Sequence, residues 1–167
     1  LFEVRKVPLF NPDGSRKGLA VAGRDITQEV EAEAALRDSE QRFRAIFERA
    51  AIGMAVATLE GVAIATNPAF QAMLGRSEAE LRGVSLDEYA HPEDAQASCE
   101  LRQHLAGRSR QAYQIEKRYL RPNGSIRWGR LSASVIDSSQ GMPQFILEMV
   151  EDITDRKQAQ LALLQNE

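Results

Sequence analysis

The sequence predicts an α+β domain flanked by amphipathic linker helices. Three observations support this fold class: short apolar runs that end in turn residues, strand-like stretches joined by tight turns, and segments with helix start and stop signals. With 167 residues, of which 43% are hydrophobic, the chain can bury one sizeable core and has little room for a second. The expected organisation is therefore one domain with appendages.

The two ends of the chain match each other without a gap. The matching residues of the first copy and of the second are Gly14, Asp25, Ile26, Thr27, Ala35, Leu36 and Gly141, Asp152, Ile153, Thr154, Ala162, Leu163. In both copies a turn joins two strand-like runs, and a helical composition follows. We interpret residues 1–27 as the closing hairpin of a truncated domain and 28–42 as a linker helix. A severed hairpin exposes strand edges, so we expect it to pair with the main sheet or with a second chain.

The main domain is expected at residues 43–154. It begins with two short apolar runs, 52–58 and 62–66, which are separated by a glycine-containing turn and so indicate a hairpin. Asn67 is suited to cap a helix whose first residue is Pro68, because proline fits the first helical turn. The spacing of three apolar residues puts them on one face of that helix: Phe70, Met73 and Leu74.

The second half of the domain contains two more helices and three strands. Ser77–Glu80 has the order of a capping box, which predicts a short helix. His91–Asp94 opens a longer helix that runs to about Ala106, where Gly107 ends it. The predicted strands are 111–120, 125–136 and 144–153. Apolar residues occur on both faces of the last strand, so a linker helix or a partner chain is expected to cover the face that lies outside the core.

Composition excludes several function classes. The 21 basic and 24 acidic residues nearly cancel, and no long block of one sign suggests nucleic-acid binding. No run approaches the roughly 18 apolar residues of a membrane helix, so no direct membrane contact is expected. The single cysteine, Cys99, rules out an internal disulfide and fits a reducing compartment, which we interpret as the cytoplasm. No catalytic triad, phosphate loop or metal-ligand pattern occurs, so the chain itself is not expected to be an enzyme.

Several short motifs, taken in order, resemble the PAS family, including its C-terminal PAC segment. They are Phe43–Glu48, Asn67–Phe70, Leu74–Gly75, His91–Asp94, Tyr119–Trp128 and Asp152–Lys157. The resemblance implies a five-stranded antiparallel sheet with helices over one face, which in some relatives encloses a ligand pocket. Residues 1–27 look like the end of another PAS unit. Such units typically sit beside other PAS and output domains in histidine kinases, diguanylate cyclases or phosphodiesterases.

The resemblance does not extend to the known cofactor motifs. Haem-binding relatives place an axial histidine where this chain has Gln96, and His91 and His104 lie at the two ends of that helix. Flavin-adduct relatives carry their cysteine near the helix start, whereas Cys99 is in the middle. Non-covalent flavin relatives offer a tryptophan where this chain has Ala112. Haem and flavin are therefore disfavoured, and no metal is expected.

A small apolar ligand remains an option, since the sequence offers apolar residues suited to line a pocket. These candidates are Met54, Ile64, Phe70, Met73, Leu74, Leu81, Tyr89, Leu101, Leu105, Tyr119, Leu131 and Leu147. The same residues would equally serve a filled core.

Signal transmission is assigned to the linkers. The predicted junction consists of Asp152, Ile153 and Thr154, and it is repeated by Asp25 and Thr27. Either the aspartate or the threonine can cap the outgoing helix, 155–167, so the strand end is coupled to the helix start.

Apolar stripes on the linker helices suggest a parallel homodimer in which the helices pair as a coiled coil. The expected seam residues are Leu36, Phe43, Phe47, Leu161 and Leu164. Two alternatives stay open: a constitutive dimerising spacer, and a recognition module whose sheet face binds a different protein.

Overall fold

The structure, a computed structural model, describes residues 1–165. They fall into two compact units, Leu1–Ala45 and a second that begins at Ile46. The last two residues of the expected outgoing helix, 166–167, lie outside the described residues.

The first unit consists of a hairpin and most of a long helix. Strands β1 (Phe2–Phe10) and β2 (Arg16–Asp25) pair antiparallel in a two-stranded sheet of their own. The expected pairing partner of this hairpin, the main sheet or a second chain, stays a prediction. Helix α1 (Thr27–Arg49) continues past residue 42, where the linker was expected to end, because residues 43–49 contain no glycine or proline to stop it.

The second unit is built on a five-stranded antiparallel sheet with the strand order β4-β3-β7-β6-β5. This confirms the expected fold class. The strands are β3 (Gly53–Ala57), β4 (Ala63–Thr66), β5 (Ala112–Leu120), β6 (Ile126–Asp137) and β7 (Pro143–Asp152). The last strand lies in the centre, between β3 and β6, so residues distant in sequence meet on one sheet surface.

The helices of the second unit start where the sequence signals predict. Asn67 caps the first of them by accepting a hydrogen bond from the Phe70 backbone N–H at 2.9 Å. Ser77 and Glu80 form both arms of a capping box. The helices are α2 (Pro68–Leu74), α3 (Glu78–Leu81), a 3₁₀ helix (Leu86–Tyr89), α4 (Pro92–Ala106) and α5 (Thr154–Gln165).

The core lies between the sheet and the helices over one of its faces. Helix α2 packs on β3, and α4 packs on β5 and β6. Buried and half-buried residues alternate along β3, β6 and β7, as expected where one face of a sheet covers the core. This alternation decides which side chains point inward.

Gly129 shows how tightly this core is packed. A Cβ atom at this position would lie 2.6 Å from Tyr119 Cε2, 2.7 Å from Val150 Cγ1 and 2.9 Å from Met73 Cε. Gly129→Ala is therefore expected to destabilise the second unit by about 2–3 kcal/mol, because the neighbours must shift in a closely packed interior. Urea unfolding measures this loss. The control is Gly107→Ala, whose Cβ would approach only the Gln103 carbonyl, at 3.3 Å; equal losses in both variants would contradict the packing argument.

Candidate functional site

The structure divides the twelve candidate pocket residues between the two sheet faces. Nine lie in or against the core: Phe70, Met73, Leu74, Leu81, Tyr89, Leu101, Leu105, Tyr119 and Leu131. The placement of Met54 and Leu147 in the pocket is wrong. Their strand neighbours Ala55 and Glu148 are the buried residues, and successive side chains of a strand point to opposite faces. Ile64 is half-buried at an irregularity in the pairing of β3 with β4, so its place in the pocket stays a prediction.

The interior also contains charged residues that the sequence analysis missed. Lys117 and Glu148 are each 1% exposed, and Arg102 is 4% exposed. Such residues are rarely buried completely unless they are paired. A signal for two of them was available, because Lys117 alternates with Tyr119, and Glu148 alternates with Ile146 and Val150. The interior is thus partly polar, which does not fit the expected purely apolar pocket.

Lys117 extends from β5 across the interior to α4. Its Nζ donates a hydrogen bond to Ser98 Oγ at 2.9 Å and lies 4.9 Å from the centre of the Tyr119 ring. Burial lowers the pKa of the Lys117 ammonium, and the nearby Glu148 carboxylate opposes that shift.

Glu148 occupies the middle of the sheet, opposite Ala55 on β3 and Ala133 on β6. Its Oε2 atom is buried and has no hydrogen-bond partner. Burial raises the pKa of the carboxyl group, and the positive charge of Lys117 partly offsets this rise.

Two buried phenol groups share this situation. The hydroxyls of Tyr113 and Tyr119 also have no hydrogen-bond partner. Burial raises the pKa of both, and the Glu148 carboxylate adds to the effect. Ser98 Oγ accepts a hydrogen bond from Lys117 Nζ at 2.9 Å. The Ser98 hydroxyl also interacts with the Tyr113 hydroxyl and so opposes the rise in the Tyr113 pKa.

Arg102 differs from these groups because it is fully paired. Its Nη1 donates to Asp87 Oδ1 at 2.9 Å, and its Nη2 donates to Asp87 Oδ2. The bond to Asp87 raises the pKa of the guanidinium. Gly61 leaves room for it, since a Cβ there would lie 2.5 Å from Arg102 Cζ. This bidentate pair fixes α4 to the 3₁₀ helix.

The residues of the expected cofactor positions take other roles. His91 Nδ1 accepts a hydrogen bond from the Glu93 N–H at the start of α4. Gln96 is exposed and bonds to Glu100, and Cys99 is half-buried beside Gln103. Within residues 1–165 no group of three His, Cys, Asp or Glu side chains is placed to hold a metal ion. None of the helices in this range has the length and hydropathy of a membrane span.

A second constellation lies where β7 passes into α5. Asp152 Oδ1 accepts hydrogen bonds from the Thr154 N–H at 2.9 Å and from Thr154 Oγ1 at 2.5 Å. Thr154 Oγ1 in turn accepts from the Trp128 N–H at 3.0 Å, and the Ile153 N–H donates to the Trp128 carbonyl at 2.9 Å. The end of β7, the start of α5 and the backbone of β6 are therefore joined in one hydrogen-bonded unit.

The first copy of the repeat has the same arrangement. Asp25 Oδ1 accepts from the Thr27 N–H at 3.0 Å and from Thr27 Oγ1 at 2.6 Å. The Ile26 N–H donates to the Leu1 carbonyl, as Ile153 does to Trp128. The repeated residues thus form the same local structure in both copies.

The indole of Trp128 contacts cations from two different elements. Lys157 Nζ of α5 is 5.0 Å from the ring centre, and Arg118 Cζ of β5 is 5.6 Å from it. Arg118 also donates to Asp94 Oδ1 at 2.8 Å and to Glu93 Oε2 at 2.7 Å, at the start of α4. These contacts connect α4 to α5.

The first turn of α5 is attached to the sheet as well. Glu116 of β5 forms ion pairs with Arg156 at 2.5 Å and with Lys157 at 2.6 Å. The contact to Lys157 is the main cause of the lowered pKa of Glu116.

Fold and sites together define a class: a small α+β domain with a central closing strand, a partly polar interior, and a helix that leaves directly from that strand. A family model described as PAS fold matches residues 47–158. The chain belongs to the PAS family.

Two curated relatives are signalling proteins. The probable diguanylate cyclase DgcE of Escherichia coli (strain K12) is 34% identical over 125 residues, which are 75% of this chain and 11% of the relative. The sensor histidine kinase TmoS of Ectopseudomonas mendocina is 34% identical over 131 residues, 78% of this chain and 14% of the relative. The chain thus spans only a small part of these proteins, and it is homologous to their domains.

Solved structures show the same fold. A PAS domain from Colwellia psychrerythraea is 20% identical, with a TM-score of 0.61, and the match covers 69% of this chain and 97% of that one. The PAS domain of an HTR-like protein from Haloarcula marismortui is 24% identical, with a TM-score of 0.59 and coverages of 74% and 98%. A LOV protein from Rhodobacter sphaeroides is 20% identical, with a TM-score of 0.59 and coverages of 70% and 68%.

Proposed function

We propose that this PAS domain is the sensory and dimerisation module of a multidomain bacterial signal-transduction protein. It would relay a signal through Asp152, Ile153 and Thr154 to the helix α5 and so to a histidine kinase, a cyclic-di-GMP cyclase or a phosphodiesterase. The supporting observation is the hydrogen-bonded unit that ties the end of the central strand to the start of the helix.

The route of the relay follows from the contacts around Trp128. A shift of α4 against β5 would act on Arg118, which is bonded to Asp94 and stacked near Trp128. Trp128 is held by the Thr154 hydroxyl and contacts Lys157. A movement in the interior therefore has a continuous path to α5, provided that the junction has two alternative packings.

Dimerisation through the linker helices is the second part of the proposal. Leu36 is 61% exposed, Phe43 64%, Leu161 53% and Leu164 63%, whereas Phe47 is half-buried. Exposed apolar side chains on flanking helices suit a parallel coiled coil with a second copy, and the half-buried apolar residues of the outer sheet face add to the surface available. The unpaired thiol of Cys99 fits a cytoplasmic location. Sedimentation of the wild-type chain and of the Leu36→Glu variant tests the proposed dimerisation. A monomeric wild-type chain would contradict it.

Asp152→Ala is expected to loosen α5 locally by about 1 kcal/mol, because two donors of Thr154 lose their acceptor. Hydrogen exchange of the α5 amides should accelerate while that of the central strands stays unchanged. The emission of Trp128, the single tryptophan, should shift as well. The control is Asp137→Ala, at the far end of the β6–β7 hairpin. Unchanged exchange in α5 would show that Asp152 does not hold the helix.

The relay itself is tested by joining α5, in helical register, to the output domain of a diguanylate cyclase. Asp152→Ala should change basal cyclase output about fivefold or more, as expected for a coupling of about 1 kcal/mol or more. Asp137→Ala should leave it unchanged. If neither variant changes the output, the chain is better described as a constitutive spacer. One-to-one complexes with another protein that form at the expense of the homodimer would favour a recognition module.

A further inference from the structure

The hairpin of the first unit has the same register as the β6–β7 hairpin of the second unit. Both run through the same series of residue pairs at a constant offset, from Phe2–Asp25 to Phe10–Arg16 and from Gly129–Asp152 to Asp137–Pro143. The register of each hairpin shifts once, at the corresponding place before the last pair. The two turns also close with equivalent backbone hydrogen bonds. The first hairpin is therefore built like the hairpin that closes a PAS sheet, including its irregularity.

The correspondence identifies the face of the first hairpin that is suited to cover a core. In the second unit the buried residues of this hairpin are Gly129, Leu131, Ala133, Ile146, Glu148 and Val150. Their counterparts in the first hairpin, which we call its inner face, are Phe2, Val4, Lys6, Leu19, Val21 and Gly23. Four of these are large apolar residues that stay exposed within the first unit: Phe2 is 68% exposed, Val4 53%, Leu19 45% and Val21 59%. The inner face thus has the composition of a core face without a core beneath it.

The two outward edges of the hairpin are the edges that the second unit uses for further pairing. There β7 pairs on its other side with β3, and β6 pairs on its other side with β5. In the two-stranded sheet of the first unit, β1 and β2 pair only with each other. Unpaired edges are templates for further strands, and a two-stranded hairpin alone is marginally stable. One strand at each edge and an apolar layer over the inner face would complete the structure.

The sheet of the second unit, in this chain or in a second copy, cannot exchange its own closing hairpin for this one. In such an exchange Phe2 would stand at the position of Gly129. Even a Cβ atom there would lie 2.6 Å from Tyr119 Cε2 and 2.9 Å from Met73 Cε. Both of these side chains are buried and have little room to move. The first hairpin is therefore shaped for a different core.

We propose that the first hairpin closes the sheet of a second PAS unit, distinct from residues 46–165, and binds the other strands and helices of that unit. A strand equivalent to β3 pairs with β2, a strand equivalent to β5 pairs with β1, and apolar helices cover the inner face. The partner supplies an acidic group opposite Lys6, because lysine is rarely buried unless it is paired. The inference rests on the proposed function in one respect, that this chain is part of a multidomain protein. The matched segments are 11% and 14% of the two curated relatives, which leaves most of their length for further domains.

The test compares amide hydrogen exchange of residues 1–27 in the chain 1–167 and in the multidomain protein that contains it. In the multidomain protein the exchange of β1 and β2 should be slower by about 100-fold or more, because their edge amides become hydrogen-bonded in a folded sheet. Val4→Asp, on the inner face, should abolish this protection. The matched control is Val7→Asp, since Val7 is 47% exposed and lies on the other face of the same strand. This variant should keep the protection.

Peptides from β6 and β7 are the internal reference and should exchange alike in all samples. The inference is overturned if the hairpin exchanges as fast in the multidomain protein as in the chain 1–167, or if the two variants behave alike. It is also overturned if the chain 1–167 already protects its hairpin and loses this protection on dilution, because a second copy then covers the inner face. The cyclase fusion tests the relay separately, so a failed relay leaves the hairpin result intact, and an unprotected hairpin leaves the relay intact.

Discussion

Asn67→Ala is expected to destabilise the second unit by about 3 kcal/mol or more. Asn67 is fully buried, and its side chain makes four hydrogen bonds to the backbone. Oδ1 accepts from the N–H groups of Met54 at 2.8 Å and Phe70 at 2.9 Å. Nδ2 donates to the carbonyls of Phe47 at 3.0 Å and Ile52 at 2.9 Å. Truncation would leave buried donors and acceptors without partners, where no solvent replaces the lost bonds.

Urea unfolding of wild type and variant measures this loss. Ser77→Ala is the matched control, because Ser77 also caps a helix but is exposed and should cost only about 1 kcal/mol. If the two variants lose the same stability, Asn67 acts as an ordinary cap and the bonds to Phe47 and Ile52 contribute nothing.

Removing one of the two interior charges is expected to cost about 3 kcal/mol, whereas removing both should be neutral or stabilising. In Lys117→Met the Glu148 carboxylate loses the positive charge that offsets its burial. In Glu148→Leu the ammonium of Lys117 loses the corresponding negative charge. The double variant has no buried charge at either position. A double-mutant cycle by urea unfolding measures the coupling, and additive single losses would contradict it.

The stability difference between the wild type and the double variant should depend on pH in a definite direction. The pKa of Glu148 is raised above its ordinary value of 4.5, so its contribution to stability is lost as the pH rises through the folded-state value. The pKa of Lys117 is lowered below its ordinary 10.5, so its contribution is lost as the pH falls through the folded-state value. Relative to the double variant, the wild type should therefore gain stability on acidification toward pH 4.5 and on alkalisation toward pH 10.5. A flat difference would contradict the burial of both charges.

The local elements could be predicted because their signals are contained in short stretches of sequence. The capping box at Ser77–Glu80 and the helix start at His91–Pro92 need only neighbours a few residues away. The Asp-Ile-Thr junction follows from the match between the two ends of the chain, and its aspartate–threonine hydrogen bonds are local in both copies. Helix α1 extends beyond its expected end at residue 42. Its sequence contains no stop signal there, so tertiary contacts set the position of its end.

The assignment of faces depended on information that lies far away in sequence. In β7, Phe145, Leu147 and Met149 form one apolar series, and Ile146 and Val150 interrupted by Glu148 form the other. By hydrophobicity the first series should face the core, and the structure buries the second. The pairing of β7 between β3 and β6 decides this, because it sets the pleat of all three strands together.

By itself, therefore, the sequence determined the α+β class, the element order, the caps and the repeated junction, since each follows from spacing within a few residues. Only the tertiary structure decided that Lys117 and Glu148 lie inside and that Met54 and Leu147 lie on the other face of the sheet. The physical reason is that burial is set by which strands pair and in which register. Those choices are made between residues separated by most of the length of the domain.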